Sequence, residues 1–388
     1  MHKFIADPYK RGRFYASTYY LTYYAAQAAV IPFLTIYYQG LGLSGSQIGL
    51  LAGLSPILSM LSAPFWTGLA DASGRHRLVM SVSLLGVTGS VLLLMQANGL
   101  PWLAVSIASF AFFSSTIIPL SDSATLNMLG GERSQYGRIR LWGSIGWGLA
   151  SPLAGKLIDS FGLKAGFGGA VVLYLVVLLV SLRLSHTRAR LSVPFWHGLR
   201  QVLADRRWYS FLGLAVVGGM SLSVVSNFLF IFMNSLGASK TLMGLVMLVA
   251  TISEIPVLFF MDRLLRRWGA RRLMAVSIIV YALRAFLVSL AKVPEILLPI
   301  QLLHGFTFAL LVGSAVTLAD EMAPKGLSAT AQGLFSATMG GVGVAIGAVM
   351  GGWIYEHFGA PATFQVMSGI AMAVLLVWLT LGKGLKEA

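Results

Sequence analysis

The stretch LGLSGSQIGLL at residues 41–51 returns as LGASKTLMGLV at residues 236–246, 195 positions later. Both copies hold glycine and serine at matching places, namely Gly42 and Gly237, Ser44 and Ser239, and Gly49 and Gly244. Two more pairs keep nearly this spacing: GRHRLVM at 74–80 with GARRLMA at 269–275, and GKLIDSFG at 155–162 with GWIYEHFG at 352–359. A period of half the chain indicates duplication and predicts two similar halves.

The composition places both halves in a membrane. Of the 388 residues, 57% are hydrophobic and only 11% are charged, which is more apolar than a soluble core requires. Apolar runs of about 20 residues cross a bilayer as α-helices, because each backbone amide there must be paired within its own segment. Twelve runs occur, near residues 14–38, 47–70, 78–97, 101–128, 138–158, 165–184, 209–235, 241–262, 273–291, 295–321, 329–355 and 361–382. We predict an all-α polytopic membrane protein with twelve transmembrane helices.

A polar stretch, SHTRARLSVPFWHGLRQVLADRR, divides these runs into six and six. We therefore predict an N-terminal six-helix bundle over residues 1–184, a cytoplasmic linker over 185–207 and a C-terminal six-helix bundle over 208–388. Two parallel repeats of this kind are typical of transporters, in which the substrate site lies between the halves.

The formal net charge of +15 comes from an excess of lysine and arginine. Most of these residues fall in loops on one side, and the positive-inside rule predicts that this side and both termini are cytoplasmic. The basic residues on the other side are Lys156, Lys164, Lys240 and Lys292. The charge thus indicates topology and not a nucleic-acid surface.

Several other functions lack sequence support. The first twenty residues are basic but contain no short apolar stretch with a cleavage site, so we expect no removable signal peptide. The chain has no cysteine, which excludes disulfides and thiolate chemistry. No metal-protease, nucleotide-binding or hydrolase motif occurs, so we expect neither an enzyme nor a metal cofactor.

The loop TGLADASGRHR at residues 67–77 resembles a motif of the major facilitator superfamily, between its second and third helices. The matching residues are Gly68, Asp71, Gly74, Arg75 and Arg77, and a degenerate copy at 261–272 keeps Asp262. Glycine permits the tight turn, Asp71 can cap or pair with a neighbouring helix end, and the arginines stay in cytoplasmic water. The resemblance implies a gating role and the major facilitator fold of two pseudo-symmetric bundles. A charged turn with a purely topogenic role is the alternative.

YGRIRLWGSIGWG at residues 136–148 resembles the fifth helix of the lactose permease (oligosaccharide:proton symporter) family and of the phenylpropionate permease family. That resemblance implies that Arg140 contacts substrate, that Trp147 stacks on it, and that Asp122 is the acidic partner on the fourth helix. Arg140, Ser144 and Trp147 share one helix face by their spacing, which suits a ligand with an apolar face and hydroxyls or a carboxylate. Because Asp122 needs a partner in hydrocarbon, we expect an ion pair with Arg140.

Three ionisable residues lie within predicted spans of the second half: Glu254, Arg284 and His304. The spacing of Arg284 and His304 resembles that in the lactose permease family, and Glu254 resembles the acidic position of the eighth helix. Thr307 stands where that family has its protonatable glutamate, and Gln301 replaces a lysine, so this half is more similar to the phenylpropionate permease family. We predict substrate contacts by Arg284 and His304 and proton coupling by Glu254, Asp122 and His304.

Two polar stripes give the remaining candidates. Gln27 lies on the first span with several tyrosines, and Asn227 lies on the seventh with two serines. Lining of the substrate site and packing between helices explain such stripes equally well. We include both residues among the predicted substrate contacts.

The resemblance implies a secondary active transporter that works by alternating access. We predict proton-coupled symport of a small organic solute, either an aromatic acid or a sugar, by a monomer in a bacterial inner membrane, with the proton gradient as energy source and no cofactor. One alternative is a proton-driven drug or metabolite efflux antiporter, because SPLAG at 151–155 partly resembles an antiporter element. A non-transporting membrane sensor or scaffold is the alternative of another class.

Overall fold

The computed structural model describes residues 8–130, 132, 135–184, 195–205 and 207–384. Within those ranges all regular secondary structure is helical. The first half of the chain contains α1 (Pro8–Val30), a 3₁₀ turn (Ile31–Phe33), α2 (Leu34–Gly40), α3 (Gly45–Ser73), α4 (His76–Gln96), α5 (Leu100–Ser114), α6 (Ile117–Leu129), α7 (Tyr136–Phe161) and α8 (Leu163–Ser181).

The second half begins with a short helix, α9 (Phe195–Leu203). It continues with α10 (Arg207–Ser235), α11 (Lys240–Phe259), α12 (Met261–Trp268), α13 (Ala270–Ser289), a 3₁₀ turn (Pro294–Ile296) and α14 (Leu297–Ile300). A 3₁₀ turn (Gln301–Leu303) and a π-helical turn (Gly305–Ala309) then lead into α15 (Leu310–Glu321), and α16 (Ser328–Ser336), a π-helical turn (Ala337–Gly343) and α17 (Val344–Gly384) complete the chain.

Nine helical stretches in the described part of the chain are long and apolar enough to cross a membrane. The first and fifth predicted spans, α1 with α2 and α7, are not among the nine, because tyrosines, glycines, serines and charges dilute their apolar side chains. The eleventh and twelfth predicted spans count as one stretch, Ser328–Thr380, which bends where Gly359 has φ 80°. The nine stretches, the two less apolar spans and the division of Ser328–Thr380 at Gly359 together correspond to the twelve predicted spans.

The helices pack into two compact units. The first unit takes its described residues from Met1–Leu41, Ile57–Leu191 and Ser239–Leu248, and the second takes them from Gly42–Pro56, Ser192–Ala238 and Val249–Ala388. Each unit therefore includes the first turns of one helix, α11 or α3, from the other half of the sequence. Most of the predicted linker lies outside the described residues, so the division of the sequence at 185–207 stays a prediction.

In the first unit, the start of α11 is capped by a carboxylate from α7. Asp159 accepts hydrogen bonds from the backbone amides of Lys240 at 2.8 Å and Thr241 at 2.9 Å, and from the Thr241 hydroxyl at 2.7 Å. A negative charge at a helix N-terminus is favourable because the first amides of the helix lack partners within it.

The second unit contains the matching arrangement at the start of α3. Glu356 on α17 accepts from the backbone amide of Ser46 at 2.7 Å and from the Ser44 hydroxyl at 2.9 Å, and Gln47 completes a capping box with Ser44. Asp159 and Glu356 are 197 positions apart, which is the offset between the two copies GKLIDSFG and GWIYEHFG. The two copies of the repeat therefore share a capping contact as well as similar sequence.

Two glycines of the repeated stretch make these close approaches possible. A Cβ atom on Gly49 of α3 would lie 2.5 Å from the carbonyl oxygen of Ala348 on α17, and one on Gly244 of α11 would overlap the carbonyl oxygen of Ser151 on α7. Any larger residue would push the two backbones apart. Gly49 and Gly244 are therefore kept in both copies for a steric reason.

Candidate functional site

In the first unit, the predicted acidic residue Asp122 is held by tyrosines. The hydroxyl of Tyr20 on α1 donates to Asp122 Oδ1 at 2.6 Å, and Tyr136 at the start of α7 is a second hydrogen-bonding neighbour of this carboxylate. The expected ion pair is absent: among the described residues, no salt bridge joins Asp122 to Arg140. Tyr20 satisfies the carboxylate instead, so that prediction was wrong.

Arg140 lies against the faces of two tyrosine rings. Its guanidinium carbon is 4.3 Å from the ring centroid of Tyr24 and 5.4 Å from that of Tyr20, and its Nη2 donates to the Tyr24 hydroxyl. Gly143, one turn further along α7, makes room for this arrangement, because a Cβ there would come within 2.7 Å of Arg140 Nη1. The guanidinium is half-buried, and the described residues supply no carboxylate for it.

The other predicted contacts on this unit have different surroundings. Ser144 and Trp147 follow Arg140 on the same face of α7 and are half-buried, and neither side chain has a hydrogen bond or ring contact to a described residue. Gln27 is buried, and its Nε2 donates to the Tyr23 hydroxyl at 2.6 Å. Arg140, Ser144 and Trp147 thus form one partly open face, whereas Gln27 packs inside the unit.

In the second unit, Arg284 of α13 is only 1% exposed and is the centre of a polar network. Its Nη1 lies 2.9 Å from His304 Nδ1 and donates to the Thr307 hydroxyl at 3.2 Å, and its Nη2 donates to Gln301 Oε1. Gln301 and Thr307, the two residues that differ from the lactose permease pattern, are therefore ligands of the buried guanidinium. From the sequence these two residues are recognisable only as departures from that pattern, and no role is predicted for them.

The network fixes the tautomer of His304. Arginine can only donate hydrogen bonds, so His304 Nδ1 accepts from Arg284, and the ring hydrogen resides on Nε2. Nε2 faces Glu254 Oε1 at 3.0 Å and donates to it. The imidazole of His304 thus lies between Glu254 and Arg284 in a carboxylate–imidazole–guanidinium chain.

A break in the tenth predicted span positions His304. In a regular helix the amide of Gly305 would donate to the carbonyl of Gln301, but here it donates to the Ser253 hydroxyl at 2.9 Å. Ser253 Oγ in turn lies 2.6 Å from the carbonyl oxygen of Ala250 and 3.3 Å from that of Gln301. The hydroxyl of α11 is thus inserted where the helix changes to a π-helical turn, next to Glu254. Such turns are frequent at functional sites.

Asn227 of α10 forms no hydrogen bond with the described residues of this network; its hydrogen bonds go to Ser223 of its own helix. Its Nδ2 donates to the backbone oxygen of Ser223 at 2.9 Å and lies 3.1 Å from the hydroxyl of the same residue. These bonds hold the amide along its own helix. Within the described ranges, no three histidine, aspartate or glutamate side chains cluster in a way that could hold a metal ion.

The loop between α3 and α4 uses its charged residues locally. Asp71 pairs with the neighbouring His76 at 2.8 Å, and Arg77 donates to the carbonyl of Leu182 at the end of α8. Gly74 has φ 64°, as the tight turn requires. Thus Arg77, and not Asp71, makes the contact with a neighbouring helix end, where its positive charge is favourable. No pattern in the sequence singled out His76.

Three further members of the predicted gating set make no such contacts. Gly68 has open space around its α-carbon, and Arg75 is exposed. Asp262 is exposed at the start of α12 and forms no hydrogen bond or ion pair with any other residue that the structure describes.

Comparison with known proteins supports transport. The model of the MFS_1 like family matches residues 14–366. The maltose permease of Geobacillus stearothermophilus is 26% identical, with 94% of this chain and 93% of that protein covered. A probable 3-phenylpropionic acid transporter of Escherichia coli (strain K12) is also 26% identical, with coverages of 92% and 95%.

A solved structure supports the fold. The crystal structure of the nucleoside transporter NupG aligns with a TM-score of 0.87 at 17% identity, covering 96% of this chain and 99% of NupG. At this low identity the likeness concerns the fold alone.

Proposed function

Since the chain belongs to the MFS_1 like family of transporters, which are not enzymes, we propose that it takes up a small organic solute by proton-coupled symport. The proposal includes alternating access, a bacterial inner membrane with both termini in the cytoplasm, and a monomer driven by the proton gradient without a cofactor. The two polar sites described above carry the argument, one for the solute and one for the proton.

An aromatic carboxylate is the solute class that the first site fits best. The single observation that carries this choice is the position of Arg140, which stacks on Tyr20 and Tyr24 and has no carboxylate partner among the described residues. A guanidinium fork matches a carboxylate with two parallel hydrogen bonds. Trp147, about two turns further along the same face of α7, offers an indole ring to an aromatic group. The relative that is described as a 3-phenylpropionic acid transporter favours the same class.

A sugar is the second candidate. Asp122 is a hydrogen-bond acceptor of the kind that hydroxyl-rich ligands use, and one relative is described as a maltose permease. In this structure Tyr20 already occupies one oxygen of Asp122, so a sugar would have to displace or share that hydrogen bond. For this reason we rank the sugar below the aromatic acid.

Uptake by purified protein in lipid vesicles separates the two classes. With a pH gradient imposed, we expect labelled 3-phenylpropionate to accumulate and excess unlabelled maltose to leave the uptake unchanged. Arg140→Lys keeps the charge but loses the fork, and we expect at least a roughly tenfold loss, equivalent to about 1.4 kcal/mol. Arg138→Lys, on the exposed side of the same helix, is the matched control. Equal losses in both variants, or competition by maltose alone, would contradict the choice of solute.

The second site is suited to coupling. His304 donates to Glu254 and accepts from Arg284, so a second hydrogen on the ring would point Nδ1–H at a group that can only donate. A proton that binds to the imidazole therefore breaks the Arg284–His304 hydrogen bond, whereas a proton that binds to Glu254 leaves it in place. The protonation state and the packing of α13 against the tenth span are thereby linked, as coupled transport requires.

Glu254→Gln tests this role. We expect the variant to lose uphill accumulation under a pH gradient but to keep exchange of labelled for unlabelled solute, since exchange needs no net proton movement. Glu321→Gln removes an exposed carboxylate at the end of α15 and serves as the control. Full uphill accumulation by Glu254→Gln would refute proton coupling through this residue.

The same vesicles test the two other functions. An efflux antiporter exchanges solute for protons, so it would accumulate solute in vesicles that are acidic inside, whereas a symporter accumulates solute in vesicles that are acidic outside. A sensor or scaffold would show no solute flux above that of empty vesicles with any member of the panel.

A further inference from the structure

A cavity of about 430 Å³ lies on the second unit, and its lining includes none of the residues of the polar network. The end of α11 forms one wall with Pro256 and Phe260, and Phe306 of the π-helical turn forms another. The amphipathic helix α12 contributes Arg263, Arg267 and Trp268 to the lining, and the cavity is open to the surface. The volume is in the range of ligand sites in proteins.

Helix α12 is fixed in place by its apolar side. Leu264 and Leu265 pack against a buried cluster that includes Val257, Met261 and Leu273. Arg263 and Arg267 are one turn apart, so both reach the cavity from the same face of the helix. The two arginines are therefore presented by a docked helix and not by a free loop.

Neither arginine has an acidic partner in the part of the chain that the structure describes. Among the residues that the structure describes, no hydrogen bond or ion pair involves Arg263 or Arg267, and Asp262 beside them forms no ion pair either. By contrast, Arg271 of the next helix lies over the ring of Trp378 at 4.8 Å. Two unpaired cations at one rim of an otherwise apolar cavity fit a ligand with an anionic head and a hydrocarbon body.

We propose that this cavity binds an anionic phospholipid of the cytoplasmic leaflet, with the phosphate between Arg263 and Arg267 and an acyl chain along Phe260, Pro256 and Phe306. The lysine and arginine distribution predicts that this end of the helices is cytoplasmic. Trp268 has the amphipathic ring that is enriched at the membrane interface, and basic pockets between membrane helices on this side bind anionic headgroups. A soluble phosphate compound would leave the apolar walls unused.

Native mass spectrometry of the purified, delipidated full chain measures binding directly. Phosphatidylglycerol is titrated against phosphatidylcholine, and we expect only the anionic lipid to bind in a one-to-one complex. Arg263→Gln and Arg267→Gln are each expected to weaken phosphatidylglycerol binding about fivefold. Arg266→Gln removes the same charge from the same helix but does not line the cavity, and its affinity should stay within about twofold of the unaltered chain.

Several results would overturn the proposal. They are equal binding of the two lipids, an equal loss in Arg266→Gln, and displacement of the lipid by excess glycerol phosphate, which would indicate a site for a soluble phosphate. A dimer that dissociates in Arg263→Gln would show that a second copy covers the cavity instead.

A spectroscopic measurement does not depend on the arginine variants. Phosphatidylglycerol brominated on its acyl chains should quench part of the tryptophan fluorescence, and that part should disappear in Trp268→Phe. Undiminished quenching in Trp268→Phe would place the lipid elsewhere. Both measurements report binding, so they are independent of which solute the protein carries.

Discussion

Replacing Ser253 by alanine tests whether the inserted hydroxyl maintains the break before the π-helical turn. The substitution removes the acceptor of the Gly305 amide, a hydrogen bond of 2.9 Å between buried residues. The two helices are in close contact here, because a Cβ placed on Gly305 would overlap the carbonyl oxygen of Ser253. A buried amide without a partner costs about 1–3 kcal/mol, and we expect the free energy of unfolding to fall by that amount.

Thermal unfolding in detergent, followed by tryptophan fluorescence, measures this loss. An unfolding entropy of about 2 cal/mol/K per residue over 388 residues converts 1–3 kcal/mol into a decrease in Tm of roughly 1–4 °C. The matched control is Ser314→Ala on α15. Ser314 is buried as well, but its hydroxyl only donates to the carbonyls of Leu310 and Leu311 in its own helix. No donor loses its acceptor there, and we expect a change below about 0.5 kcal/mol.

The two variants should also differ in transport. If Ser253 positions His304 relative to Glu254, Ser253→Ala lowers proton-driven uptake more than solute exchange, whereas Ser314→Ala changes neither. Equal decreases in Tm for both variants, or a stable Ser253→Ala protein with unchanged proton-driven uptake, would refute the reasoning.

Two further substitutions test the close approaches of the repeated stretches. Gly49→Ala places a methyl group 2.5 Å from a backbone oxygen, so we expect a loss of about 1–3 kcal/mol in thermal unfolding, whereas Gly89→Ala in α4, with open space around it, should be neutral or slightly stabilising. Asp159→Ala removes the cap of α11 and should cost about 1 kcal/mol, with Asp159→Asn, which keeps one acceptor, intermediate in Tm. Equal effects of the two glycine substitutions, or no effect of Asp159→Ala, would contradict the packing described here.

The overall plan of the chain could be predicted because it depends on patterns that one sequence contains. Apolar length sets the number of spans, whereas their grouping into six and six, which rests on the repeat, stays a prediction. Local breaks were harder to predict. The predicted first span is interrupted at Ile31–Phe33, where Pro32 removes a backbone donor, and the tenth contains a π-helical turn that no residue type specifies uniquely.

The candidate sites were predictable only in part. The sequence indicated Glu254, Arg284 and His304 as ionisable residues within apolar spans of the second half, and the structure joins the three in one hydrogen-bonded chain. The predicted ion pair of Asp122 with Arg140 was wrong, because tyrosines of α1 form hydrogen bonds with both side chains instead. Several polar side chains can satisfy a buried charge, and the rotation and depth of the helices decide which of them does so. A hydropathy profile predicts neither the rotation nor the depth.

The exchanged carboxylates bear on the ancestry of such a chain. Asp159 belongs to the first repeat and caps a helix of the second, and Glu356 does the reverse. In an ancestor of six helices, one gene would have encoded both partners of this contact, and two identical subunits would have supplied them to each other about a twofold axis. Once the two copies stand in one chain, the two capping carboxylates can change independently of each other. The first repeat now has an aspartate at this position and the second has a glutamate.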